Sequence, residues 1–498
     1  MIKIGLVINI GVQMIETKKT QLPISLALTV AAILRDQHGI DHWQHGFDST
    51  FTNEELAKIT ELSFDDKNGG KDCCKGIELL PNLKKLSIHS NQNTAYLSPT
   101  DIISIGNADL NSIEKCKNLE FLTIENQSDC SWLDVSELTN LKNLTIAGNP
   151  NLEHLDGLST LTKLDSLTCF GNENLFKITD LDKMIENNAA LKHLSLDVLL
   201  FPSAIGYKYS GQMNNKALAN IDKIAKNGGC SWLQAVVGSY KGRDPWGYNI
   251  TKGVLNTCRL HNAQMIELHN AACQILEDNV PLSGDRYSVV TAAELWLAKN
   301  VIYDHQHKRE KQGIGPTNGD NGAYNCLVNK CCVCEGYTRG LQYLLALRGI
   351  QSHNVHCVAG RPDDKGMANL ETTLSRYTFV PPDLGHLHSI LCVHDDYNTY
   401  CDPCWDAGKY HAKGDKKDTS LPFCMLTKSE ISKIHTLSQQ ERIFDTEHTR
   451  PRDEIAAAIA DNEIFVRKKT RSKEVEAQRG LLQSTVAPAR GMIIMGRN

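Results

Sequence analysis

Apolar residues in the first 200 positions follow neither a single helical period nor a single strand period. They recur in a phrase, L-x-x-L-x-L, seen as Ile59/Leu62/Phe64, Leu83/Leu86/Ile88, Leu119/Leu122/Ile124, Leu141/Leu144/Ile146, Leu164/Leu167/Cys169 and Leu191/Leu194/Leu196. The last two apolar positions of each copy lie two apart, the spacing of a strand with one buried face. Counted between Leu62, Leu86, Leu122, Leu144, Leu167 and Leu194, the intervals are 24, 36, 22, 23 and 27 residues. Three copies place an asparagine three residues after the last apolar position: Asn91, Asn149 and Asn172. At that point of a turn, the side chain can satisfy backbone groups that would otherwise be buried and unpaired.

Four of the five intervals fall within the roughly 20–29 residues of a leucine-rich repeat. Residues 59–196 resemble that family in period and in asparagine placement. The resemblance implies an α/β solenoid over 59–200, in which each unit buries its leucines only against its neighbours, so that both ends need caps. The 36-residue interval departs from the pattern. It holds either a degenerate repeat around Ile103 and Ile105 or a loop insertion. Residues 1–58 read as a helical amino cap. Leu22 to Leu34 is apolar at mixed helical spacing, and Thr52 precedes Glu55 as in a capping box. Residues flanking the inward leucines point out of the strands, and His89, Phe121, Glu125 and Phe170 are the candidates for holding a protein partner. The competing reading is that each is a solvated strand residue.

Beyond position 200 the phrase stops. Residues 201–284 are punctuated by Gly228-Gly229, Gly242 and Pro245-Trp246-Gly247, and read as a carboxy cap and connecting region with a helix over 257–277. Residues 285–304 predict a helix with an apolar stripe of Val289, Ala292, Leu295, Leu297, Val301 and Ile302. A polar, glycine-rich loop covers 305–323. A second helix opens at Cys334, carries Tyr337, Leu341, Leu344, Leu345 and Leu347, and stops at Gly349. Ile350 to Ala359 reads as a strand, followed by an insertion over 360–385. His388 to His394 and Thr399 to Asp402 form a hairpin across a polar turn.

Cys334 thus begins a helix, where free N–H groups and the helix dipole favour a thiolate and can hold a developing oxyanion. His388 opens one hairpin strand and Asp402 closes the other. A carboxylate so placed orients the imidazole, and the imidazole takes the thiol proton. His386 is a rival to His388. Val301-Ile302-Tyr303-Asp304, Cys334-Glu335-Gly336-Tyr337, Gly349-Ile350, His388, Asp402-Pro403 and Trp405 together resemble the transglutaminase-like superfamily over about 285–410. The order Cys, His, Asp and the 14-residue His-to-Asp spacing fit it. The resemblance implies an α+β papain-like domain over 285–426, and thiol chemistry on amide bonds. Two features depart from the family. Ile390 stands where an aromatic residue is usual, and the 54 residues from Cys334 to His388 leave room for a lid. The calcium sites of the animal crosslinkers have no counterpart.

Composition narrows the picture further. Hydrophobic residues make up 41% and charged residues 22%, close to globular averages. A net charge of −5 gives no electrostatic reason for a nucleic-acid partner. Seventeen cysteines, an odd number in so long a chain, suit a reducing compartment better than a disulfide framework. No apolar run reaches the roughly 20 residues of a membrane span, and residues 2–12 lack a clean cleavage site. No cofactor or metal is expected. The pairs Cys331-x-x-Cys334 and Cys401-x-x-Cys404 raise a zinc alternative, weakened because Cys334 and Cys401 stand 67 residues apart. Residues 427–498 read as appended helices, apolar over 455–464 and basic over 467–473, with a solvated face as the ordinary reading and membrane or partner binding as the alternative. The whole predicts a cysteine acyltransferase or hydrolase whose repeats choose a protein or peptide substrate. It would be cytoplasmic, or secreted without a signal peptide, as suits a bacterial effector. The alternative is a non-catalytic interaction scaffold with a degenerate second domain.

Overall fold

The computed structural model describes residues 19–485 except 45, 66–72, 90–106, 128–129, 150, 209–210, 236–256, 283, 305–321, 360–386, 395–397, 412–418, 433 and 438–451. Asn91, the repeat sought around Ile103 and Ile105, His386 and the insertion over 360–385 lie outside these residues.

Helix α1, Ile24–His38, follows Pro23 and stops at Gly39, whose φ of 67° is the left-handed conformation a glycine adopts without strain. Leu26, Ala27, Val30, Ala31 and Leu34 form its buried stripe and join the core of the first repeat strands. Thr52 and Glu55 make the reciprocal capping box expected of them.

The six copies of the phrase become six strands: β1 Glu61–Phe64, β2 Lys85–His89, β3 Phe121–Glu125, β4 Asn143–Ala147, β5 Ser166–Phe170 and β6 His193–Asp197. They pair in parallel and in register, so that Leu62, Leu86, Leu122, Leu144, Leu167 and Leu194 form one row. Every member of the row is buried, each contributing about 1.5–3 kcal/mol. Residues between the rows point away from the core, as period-2 alternation requires. Asn149 and Asn172 turn into the solenoid. Asn149 Nδ2 donates to the Ile124 carbonyl (3.2 Å) and Asn172 Nδ2 to that of Ile146 (3.0 Å), while Asn172 Oδ1 accepts from the Asn149 backbone N–H (3.0 Å). This part of the chain has a leucine-rich-repeat-like fold.

The sheet continues past the last phrase. β7, Cys230–Ala235, pairs in parallel with β6, and β8, Thr257–Leu260, closes that edge antiparallel to β7. Trp232 takes the place beside Leu196 and is fully buried. A tryptophan fills the row there, so no leucine phrase announces the strand.

The second half is α+β. Its elements are α2 Asn262–Asn279, α3 Arg286–Asn300, α4 Cys334–Leu347, β9 Ser352–Ala359, β10 Leu387–Val393, β11 Thr399–Cys401, α5 Pro403–Tyr410, β12 His435–Leu437 and α6 Arg452–Thr485. The strands form an antiparallel sheet in the order β11-β10-β9-β12. One face packs on α4, and the other carries a cluster including Val355, Ile390, Tyr400, Leu426 and Ile431. The boundary drawn at 426 needs correction, because β12 lies beyond it and pairs Cys357 with Leu437 and Ala359 with His435. A three-residue strand carries too little alternation to be read from sequence. The tail is therefore not helical throughout, though α6 does pack on α3 and α2.

A single apolar core runs from Leu22 through the repeats to Leu347 and Ile459. Gln351 Nε2 donates to the Asn174 carbonyl (3.1 Å), tying the start of β9 to the repeat array. Among the described residues no helix is long and apolar enough to cross a membrane.

Candidate active site

Cys334 is the first residue of α4 and is half-buried. Val333 before it is extended and supplies no side-chain cap, so no capping side chain competes for the first-turn N–H groups. The helix is fixed by what surrounds it. Tyr337 Oη donates to the Val301 carbonyl (2.8 Å). Gly340 lets the segment bearing Cys326 approach, since a Cβ there would lie 2.5 Å from the Cys326 sulfur. Glu335 pairs with Arg339 (2.8 Å), accepts from Asn354 Nδ2 (3.1 and 3.0 Å), and accepts from Ser389 Oγ (2.5 Å). One buried carboxylate therefore joins the start of α4 to β9 and to the residue beside His388.

Asp402 N-caps α5, its Oδ1 accepting from the Trp405 backbone N–H (3.0 Å). Its Oδ2 accepts from two imidazoles at once, His388 Nε2 and His435 Nε2, each at 2.8 Å. The Cys334 side chain also acts on His388, favouring its charged form. With Nε2 given to Asp402, Nδ1 is the ring nitrogen that remains for the thiol. His435 stacks on His388, with ring centroids 5.0 Å apart, and meets the Trp405 ring at 4.4 Å. His388, Asp402 and His435 are all buried.

Burial disfavours the His388 imidazolium, but the Asp402 carboxylate, and after it Cys334, more than offset this and push His388 up to about 10. Burial likewise opposes the Asp402 carboxylate, yet His388 and then His435 hold its proton affinity well below the usual carboxyl range. The structure thus gathers Cys334, His388 and Asp402, and adds His435, which the sequence reading missed. No spacing motif points to His435. Only the pairing of β12 with β9 carries it to Asp402.

On the repeat sheet, His89, Glu125 and Phe170 share one row at the carboxyl ends of the strands, through the pairings His89–Glu125, Glu125–Ala147 and Ala147–Phe170. Phe121 stands at the other end of β3 and is 39% exposed. His89 Nδ1 and Glu125 are 2.9 Å apart, and this bond raises His89 above its ordinary value. A groove of about 720 Å³ runs between α1 and β1–β2, lined by Leu28, Ile33, Ser63, Lys85, Ser87 and His89. Helix α1 therefore walls the outward face as well as capping the core.

Among the described residues, three groups bring metal-binding atoms within 4.8 Å of one another: His353/Cys392/His394, Glu294/Cys401/Cys424 and His388/Asp402/His435. In the last, both Nε2 atoms already sit at hydrogen-bond distance from Asp402. The two C-x-x-C pairs do not form one of these groups; Cys401 is placed with Glu294 and Cys424 instead.

No protein-family model matches the chain, and no curated protein does. Among solved structures, an internalin (inlF) from Listeria monocytogenes str. 4b F2365 is similar over 35% of this chain at 19% identity, with a TM-score of 0.21. The match covers 55% of that chain, so this chain spans about half the length of the internalin.

Proposed function

We propose that this chain is a transglutaminase-like cysteine enzyme that acts on amide bonds of a protein or peptide substrate held by its repeat sheet. The observation that carries the reading is Cys334 at a helix start, with its side chain acting on a His388 whose Nε2 is held by Asp402. His388 takes the Cys334 proton as the sulfur attacks a carboxamide or peptide carbonyl. The carbonyl oxygen becomes an oxyanion, which first-turn N–H groups of α4 can receive. His388 then gives the proton to the departing nitrogen, the C–N bond breaks, and a thioester remains. Water or an amine attacks the thioester, returns a proton through His388 and frees the Cys334 sulfur. Asp402 keeps His388 in one tautomer throughout.

Iodoacetamide near neutral pH is expected to label Cys334 before the other thiols, because burial pushes Cys116, Cys130, Cys169 and Cys230 up to about 12. Mass spectrometry of candidate protein partners should then show ammonia loss or crosslinks that Cys334→Ala abolishes. Equal labelling of all thiols, with no product, would sink the enzyme reading and leave an interaction scaffold in which the outward row and the groove beside α1 serve alone.

A further inference from the structure

We infer that the buried group Glu294, Cys401, Cys424 and Asp406 is a structural zinc site behind the candidate active site. The sulfurs of Cys401 and Cys424 and a carboxylate oxygen of Glu294 all lie within 4.8 Å of one another. Four separate segments supply the group: α3 carries Glu294, β11 ends at Cys401, α5 carries Asp406, and Cys424 sits in the turn over 421–426. That turn is tightly wound, with Leu421 and Met425 both at positive φ (49° and 54°). Glu294, Cys401 and Cys424 are fully buried and Asp406 is 1% exposed.

The partners these groups lack point to a cation. Both carboxylate oxygens of Glu294, and Oδ2 of Asp406, are buried and meet no hydrogen-bond donor from outside the group itself. Buried carboxylates are ordinarily paired or bound to a metal. Here the nearby cationic side chain, Arg452, spends its Nη1 on the carbonyls of Leu421 (3.4 Å) and Cys424 (3.0 Å). Backbone N–H groups reach two of its atoms: the Phe423 N–H donates to Asp406 Oδ1 (3.0 Å), and the Met425 N–H to the Cys401 sulfur (3.4 Å). Two sulfurs with one or two carboxylate oxygens form a borderline-soft, tetrahedral donor set, which suits zinc and suits calcium or magnesium poorly. Tetrahedral Zn–S and Zn–O bonds of about 2.0–2.3 Å need only a modest contraction of the group. Burial pushes both carboxyls up, Asp406 to about 7, so the rival arrangement is a proton shared between Glu294 and Asp406.

The site lies one residue from Asp402, and Asp402 caps the helix that bears Asp406. A metal there would lock the carboxylate that holds His388 and His435. The inference does not depend on the proposed activity.

The full chain, expressed with zinc and dialysed free of loose metal, is expected to carry one zinc per chain by elemental analysis. Cobalt substitution should give the visible bands of a tetrahedral ion together with thiolate charge transfer. Both signals should vanish in Cys401→Ser/Cys424→Ser and persist in His353→Ala/His394→Ala, which removes the other His/Cys group. Glu294→Gln mimics a protonated carboxyl, so it should lose zinc if the site is metallic. Wild-type protein that is folded yet free of zinc after loading overturns the inference. So does metal that follows the His353/His394 variant, or a Glu294→Gln protein with unchanged zinc content.

Discussion

Two imidazoles share one oxygen of Asp402, and this sets what substitution there should do. Replacing Asp402 by Asn removes the charge that offsets the burial of His388. The His388 proton affinity, at about 10 in the intact site, should fall below the ordinary histidine value of 6.5, as an NMR titration of its ring protons would show. A His388 that still titrates near 10 in Asp402→Asn would contradict this. The stability linked to the pair has a defined pH window. The raised His388 contributes in full below its ordinary 6.5, and its contribution is lost as pH rises through about 10. The depressed Asp402 contributes above its ordinary 3.8, and that is lost as pH falls through its lower folded value. Urea midpoints should therefore be flat between about 4 and 6.5 and should decline toward pH 10. His435 holds the same carboxylate oxygen. A hydrogen bond to a charged group contributes about 1.5–3 kcal/mol, so His435→Gln should lower kcat roughly 10- to 100-fold and leave KM nearly unchanged. Cys334, His388 and Asp402 could be found in the sequence because helix start, strand start and strand end each leave a local signature. His435 could not, since its strand is short and its partner lies 33 residues away.

At the scale of elements, α4 is tied down at its first turn. Its first carboxylate, Glu335, reaches Arg339, Asn354 and Ser389 at once. Glu335→Ala would leave Arg339 and two polar side chains buried without that partner, and a cost of about 3–5 kcal/mol is expected in denaturant unfolding. In the repeats, Asn149→Ala should cost about 1–3 kcal/mol, because it frees the buried Ile124 carbonyl and breaks the ladder to Asn172. The ladder was legible from a fixed offset of three residues. The clamp was not, because Glu335, Asn354 and Ser389 are brought together only by a helix packing across two strands. The last strands of the large sheet were missed for a related reason. Trp232 fills a place where the phrase has a leucine, and the phrase was the only periodic signal available.

Across the whole molecule, the repeats and the antiparallel sheet share one apolar core, with β7 and β8 continuing the repeat sheet toward α2. Calorimetry is therefore expected to show a single cooperative transition spanning both halves. Two well-separated transitions would mean that the shared core does not couple them. The sequence suggested two units with a connector, because composition and punctuation change near position 200. It could not show that the connector completes the first unit's sheet.

The shared core has a geometric consequence. A recognition surface on a flexible tether would let the thiol sample many positions along a bound chain. Here the outward row of His89, Glu125 and Phe170 is fixed relative to Cys334. Under the proposed function the molecule acts as a ruler: a substrate gripped by the sheet would be modified at a set distance from the grip, whatever the residues between.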